Sequence, residues 1–238
     1  MFAIKRTIKY LFSKLITLKF LERISQNKIW REILEEKKPK IVSSAIGKLD
    51  EDSWNSRLRY KVWDKIPEYI DTNEDILYIE FGVWKGLSIK YFAKKFTNQN
   101  SEFYGFDTFY GMPNKWRMLE KGHYSTLGKT PEIDDVRVKF FKGLFQDTLP
   151  DFLNKLSEES KRKTVLIHFD SVLYSSTLFT LFKLSEYKNS YYFLFDQMST
   201  DECRAFHSFN VAKKKDYDLY LASKYNDAPE VVFGKFKN

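Results

Sequence analysis

From Asp75 onward short apolar runs alternate with helical stretches, and no other feature of this 238-residue chain restricts its fold so tightly. Runs at Ile76–Phe81, Phe103–Phe106, Val138–Lys142, Thr164–Phe169 and Tyr191–Phe195 have the length and apolar continuity of strands buried on both faces. Helices are expected at Ser88–Phe96, Leu149–Lys155, Ser176–Lys183 and Asp201–Asn210. Repeated βα units of this kind build a parallel sheet with helices on both faces. Tyr217–Ala222 and Glu230–Phe236 flank Asn226-Asp227, a turn pair that predicts an antiparallel hairpin. The expected fold is therefore α/β and Rossmann-like, a mostly parallel seven-stranded sheet closed by a C-terminal hairpin.

Residues 1–70 read differently, as a basic helical extension in front of a domain spanning 71–238. The net charge of +8 sits almost wholly in this extension: Met1–Lys40 carries 11 Lys or Arg against 4 Glu, and the rest of the chain is nearly neutral. A neutral body argues against nucleic acid as a partner, which would call for a basic face on the domain itself. Ile4, Ile8, Leu11, Leu15 and Leu18 recur at helical spacing with Lys5, Arg6, Lys9, Lys14 and Lys19 between them. Such a segment over residues 1–24 suits packing on protein, including a second subunit of a homo-oligomer, or peripheral contact with an anionic membrane face. Lys14 and Lys19 interrupt the apolar run too early for a membrane span. A single cysteine, Cys203, forms no internal disulfide and suits a reducing, cytoplasmic setting.

Two motifs point to a nucleoside ligand. In Tyr78-Ile-Glu-Phe-Gly-Val-Trp-Lys-Gly-Leu-Ser88 a strand ends in Glu80, Gly82 and Gly86 form a turn, and Ser88 can cap the next helix. Glycine lets backbone pass close beneath a bulky ligand, and a helix N-terminus offers free N–H donors. Glu80 brings negative charge suited to a cationic ligand. One βα unit later Phe103-Tyr-Gly-Phe-Asp107 ends in a carboxylate about 25 residues past the first glycine, the spacing of ribose-binding acids in dinucleotide sites. A purely structural turn would use the same residue types, and the two motifs alone do not separate S-adenosylmethionine from a nicotinamide cofactor.

Several further blocks fall in a recognisable order. Phe106-Asp-Thr-Phe-Tyr-Gly-Met-Pro113 is followed by Trp116, His123-Tyr-Ser-Thr-Leu-Gly128 and Val138-Lys-Phe-Phe-Lys-Gly-Leu-Phe-Gln-Asp-Thr-Leu-Pro150. Ile167-His-Phe-Asp-Ser-Val-Leu-Tyr-Ser-Ser-Thr177 and Phe193-Leu-Phe-Asp196 complete the series. Together, from about Asp75 to Asn210, they resemble the macrocin-type O-methyltransferase (TylF/MycF) family. The resemblance implies the class I methyltransferase fold, S-adenosylmethionine as methyl donor and an acceptor hydroxyl, commonly on a sugar. Phe109 and Phe145 lie inside matched motifs and join Glu80, Gly82, Gly86, Ser88 and Asp107 as cofactor-binding candidates.

The resemblance also implies Mg²⁺ held by carboxylates after the fourth and fifth strands. A hard cation there would hold acceptor hydroxyls and lower the pKa of the reacting one. Asp170 and Asp196 match two of those acidic positions, but Val172 and Gln197 stand where further acids are expected, so the ligand set is incomplete. Without metal, Asp170 is the first candidate general base and His123 the second. His168, in a buried-strand pattern, reads as a structural histidine. The leading function is O-methylation of a sugar, glycan or glycosylated precursor, which would place the chain in polysaccharide biosynthesis; the alternative is a non-catalytic S-adenosylmethionine-binding relative serving as partner or scaffold.

Overall fold

The computed structural model describes residues 28–30, 32–198, 201–226 and 228–238. The basic helical pattern of residues 1–24 and its proposed membrane contact lie outside them. Among the described residues no helix is long and apolar enough to cross a membrane.

Eight strands form one sheet: β1 (Lys40–Ala45), β2 (Ile76–Phe81), β3 (Glu102–Asp107), β4 (Val138–Lys142), β5 (Thr164–Phe169), β6 (Tyr192–Phe195), β7 (Tyr217–Tyr225) and β8 (Ala228–Phe236). Their order is β1-β7-β8-β6-β5-β2-β3-β4. β8 runs antiparallel to both β6 and β7, and every other pairing is parallel. The five parallel strands and the hairpin thus lie where the apolar runs predict. The eighth strand is the departure: β1 adds to the edge beside β7, in a region read as helical throughout. Its sequence, KIVSSA, is largely solvent-facing and carries no apolar alternation, so pairing with β7, not local pattern, makes it a strand.

Side chains alternate across the sheet with the strand period of two. Leu77, Ile79, Phe81, Val165, Ile167, Phe169, Phe193 and Phe195 face one core, closed by the helices Phe145–Lys155, Tyr174–Tyr187 and Asp201–Lys213. Ile76, Tyr78, Phe103, Leu166 and Leu194 face the other, closed by Leu58, Val62, Trp63 and Ile66 and by Ile89 and Phe92 of the helix Leu87–Lys95. The segment Glu51–Trp63, which supplies Leu58, Val62 and Trp63, is one helical run with a π-helical middle, Asn55–Arg59, and Ile66 follows in a short 3-10 turn.

The second face is apolar only up to the carboxyl ends of the strands. There the alternation that points Tyr78 and Leu166 inward also points Glu80, Asp107, His168 and Asp170 to the same side, with Glu80 and His168 in register on adjacent strands. Asp196, just past β6, continues the row that holds Leu194.

Candidate active site

Strand order reverses between β5 and β2, and such a switch point opens a crevice beyond the strand ends. A cleft of about 360 Å³ lies here, within the size range of small-molecule sites. Its floor is Gly82, Asp107 and Asp170; Phe145 and Gln146 border one side, and Trp54, Trp84 and Tyr124 border another. Four residues around these strand ends hold φ in the left-handed region although none is glycine: Trp84 at 49°, Phe109 at 58°, Tyr124 at 64° and Val172 at 54°. Strain of this kind concentrates where structure is held for function.

The expected cofactor residues divide. Gly82, Asp107 and Phe145 line the cleft. Asp107 is tied to the backbone: Oδ2 accepts from Val83 N at 2.9 Å and Trp84 N at 2.8 Å, and Oδ1 from Phe109 N at 2.8 Å. A carboxylate offers about four acceptor positions, so Asp107 shapes the turn after β2 and retains capacity for a ligand hydroxyl. Gly82 is dictated by protein as much as by ligand, because a Cβ there would stand 2.2 Å from the Asp170 carbonyl oxygen. Gly86 does not line the cleft; a Cβ on it would meet Pro131 at 2.9 Å. Phe109 is fully buried in the core. Glu80 and Ser88 are also internal, for the Ser88 hydroxyl donates to Glu80 Oε1 at 2.6 Å and Tyr78 Oη donates to Oε2 at 2.6 Å. Glu80 therefore offers its charge to a buried network and not to the cleft wall.

Of the two base candidates, only Asp170 lines the cleft. His123 is exposed on its loop, its ring edge-on to Tyr124 at 4.4 Å, and does not form part of the wall. Asp170 is 17% exposed and accepts from Arg59 Nη2 at 2.8 Å. Arg59 Nε lies 3.1 Å from Asp196 Oδ2, and His168 Nε2 lies 3.0 Å from the same oxygen. Trp63 Nε1 donates to Asp196 Oδ1 at 3.1 Å, and His168 Nδ1 meets Tyr78 Oη at 2.7 Å. One polar chain thus runs from the cleft to the first turn of the helix after β2: Asp170, Arg59, Asp196, His168, Tyr78, Glu80, Ser88.

Its charges split the acids. Burial raises Asp170 above the usual aspartate range, and neighbouring Asp196 adds to the rise although Arg59 opposes it. Burial would raise Asp196 too, but His168 and Arg59 outweigh it and hold that carboxylate low. Burial pushes Glu80 up to about 7 against the pull of His168. His168 is raised because Asp196 and Glu80 overcome its desolvation.

This donor set does not fit a divalent metal. Asp196 is buried and already contacted by Arg59, His168 and Trp63, so it is not a cleft ligand, and the guanidinium stands between the two carboxylates. Val172 packs with Met112, Trp116 and Leu173, so the position where the resemblance called for an acid is filled by apolar contact. Among the described residues no group of three or more His, Cys, Asp or Glu side chains is placed to hold a metal ion.

Sequence reasoning missed Arg59, Trp54 and Asn55, all carried by the helical run before the sheet, and Glu202. Arg59 lies one residue from Leu58 and four from Trp63, on the buried side of its helix, a location visible in the apolar spacing. Glu202 is wholly buried and accepts from the N–H groups of Ser171 and Val172 at 2.9 and 3.1 Å, holding the turn after β5. Nothing local to its helix announces that task.

No family model matches the chain, and no curated protein matches it. Among solved structures, the O-methyltransferase NovP aligns over 72% of this chain and 74% of its own, at 20% identity and a TM-score of 0.49. An O-methyltransferase from Bacillus cereus, in complex with SAH, aligns over 90% and 91% at 9% identity and a TM-score of 0.49. TomG from Streptomyces achromogenes, an O-methyltransferase involved in tomaymycin synthesis and solved with SAM, aligns over 90% and 97% at 10% identity and a TM-score of 0.42. At such scores the fold assignment stands on the strand order itself: β4-β3-β2-β5-β6-β8-β7 with β8 alone reversed is the Rossmann-like class I methyltransferase arrangement, extended here by β1.

Proposed function

We propose that this chain is an S-adenosylmethionine-dependent O-methyltransferase whose acceptor is a hydroxyl of a sugar, glycan or glycosylated precursor. The carrying observation is the pair of carboxylates on the floor of the switch-point cleft: Asp107 at the end of β3 and Asp170 at the end of β5. S-adenosylmethionine, when bound, supplies an electrophilic methyl group on a positively charged sulfur. Asp50, Glu51, Asp107 and Asp170 give the lining an excess of negative charge over Arg59, which favours such a cation. Asp107 has acceptor capacity for a ribose hydroxyl, and Phe145 with Leu144 offers apolar surface to a base. Trp54, Trp84 and Tyr124 offer ring faces on which a sugar can stack.

Asp170 serves as the general base. It takes the acceptor hydroxyl proton as that oxygen forms its bond to the methyl carbon and the carbon–sulfur bond breaks. Its raised pKa makes it a better proton acceptor than an ordinary aspartate, and the rest of the rate comes from holding two reactants in line. One observation favours the alternative of a silent cofactor-binding relative: Asp170 already accepts from Arg59 at 2.8 Å. Incubation with S-adenosylmethionine and a panel of sugar hydroxyl acceptors tests the reading. Methyl ether formation that vanishes in Asp170→Asn, with cofactor binding intact, supports it; cofactor binding with no turnover on any acceptor supports the silent relative.

A further inference from the structure

We propose that Arg59 is the resident cation of the acceptor site, taking the place of a divalent metal between Asp170 and Asp196 and holding Asp170 in position. The proposal concerns the same site as the methyl-transfer reading, and only its functional consequence rests on that reading.

Three observations carry it. The guanidinium reaches both carboxylates at once, at 2.8 Å to Asp170 and 3.1 Å to Asp196, with only 14% of its side chain exposed. A planar guanidinium can contact two carboxylates from one rigid group, which an ammonium cannot do as well. The group is also fixed from outside that pair. It stacks over the Trp54 ring at 4.4 Å, and Trp63, one turn on, donates to the same Asp196 carboxylate. Finally, Arg59 closes a π-helical stretch, Asn55–Arg59, inside an otherwise α-helical run. Such wide turns are uncommon and are frequently found at functional sites. Asn55 opens the same stretch, lines the cleft at 7% exposure and keeps a buried Oδ1 with no hydrogen-bond donor, so this turn aims two polar side chains at the site.

A divalent ion bound by Asp170 and Asp196 would have to expel a fixed positive charge from a nearly dry position. Like charges at such separations strongly oppose one another. The chain thus carries its cation on the helical run before β2, whereas both carboxylates belong to the ends of β5 and β6. Arg59 is a positioning residue: it acts through Asp170 and takes no proton.

The test is Mn²⁺ uptake by the full chain, read from the electron paramagnetic resonance of the free ion, with and without S-adenosylhomocysteine. The wild type is expected to take up no stoichiometric Mn²⁺ at millimolar concentration. Arg59→Gln, near in shape and neutral, is expected to gain one Mn²⁺ per chain, competed by Mg²⁺ and lost again when Asp170→Asn is added. One Mn²⁺ per wild-type chain that disappears in Asp170→Asn would overturn the proposal. So would a folded Arg59→Gln chain that takes up none. Should that variant not fold, the wild-type titration decides alone. Failure to bind S-adenosylhomocysteine would sink the methyl-transfer reading, while the Mn²⁺ result would still decide the role of Arg59.

Discussion

Asp170 and Asp196 are the same residue type and share one guanidinium, that of Arg59, yet their surroundings drive them in opposite directions. Asp170, on the cleft wall, is raised by burial and by its acidic neighbour; Asp196, wrapped by His168, Arg59 and Trp63, is held low. On the proposed reading Asp170 is the proton acceptor, while Asp196 is the one held towards its charged form. Asp170→Asn is expected to lower kcat by about 10²- to 10⁴-fold while leaving S-adenosylhomocysteine affinity nearly unchanged, as steady-state kinetics beside calorimetry would check. A base works deprotonated, so wild-type activity should rise with pH along a limb above the ordinary aspartate value. Glu80 gives a second prediction. Its folded pKa is raised from 4.5 to about 7, so the folded chain keeps a proton that the unfolded chain has already lost. Stability from this group is full below about 4.5 and falls as pH rises to about 7. His168, also raised, works in the same sense, whereas Asp196, lowered, loses its contribution as pH falls. Glu80→Gln removes the Glu80 part and weakens the rise of His168, which acts in the same sense. Its stability relative to wild type should improve by roughly 3 kcal/mol between about pH 5 and about pH 8, measured by urea unfolding.

Elements explain which of these residues a sequence can disclose. β2, β3 and β5 are buried on both faces, so their runs were plain, and Glu80, Asp107, His168 and Asp170 stood out as polar residues at apolar strand ends. Which way each polar group turns was not legible. Glu80 faces Ser88 and Tyr78, not the cleft, because its strand neighbour is His168, a cross-strand fact. β1 was illegible for a related reason: its polar sequence becomes a strand only beside β7. Arg59 was hidden by its helix, where a second arginine, Arg57, sits two residues away and only the burial of Leu58 and Trp63 tells them apart. At the turn after β2 the packing is tight enough to predict a cost. Gly82→Ala would put Cβ 2.2 Å from the Asp170 carbonyl oxygen at φ +94°, and a loss of about 3 kcal/mol is expected from strain and overpacking together. Denaturant unfolding would show it, and a neutral result would mean that β2 and β5 do not approach as closely as described.

For the whole molecule, topology does what no single motif can. The alternation of runs and helices predicted the parallel sheet and its hairpin, and the reversal of strand order between β5 and β2 then places a crevice over Gly82, Asp107 and Asp170. The helical run Glu51–Trp63 forms one wall of that crevice and also covers a core of the sheet, so recognition and folding share an element. A ligand bound there should stabilise the whole fold by RT ln(1 + [L]/Kd), about 2.7 kcal/mol at a hundredfold excess over Kd. The most direct test is calorimetric titration of the purified chain with S-adenosylmethionine and S-adenosylhomocysteine, with Asp107→Ala in parallel. Saturable one-to-one binding of both, weakened in Asp107→Ala, is the predicted result. No binding of either ligand to a folded chain would contradict the account at its centre.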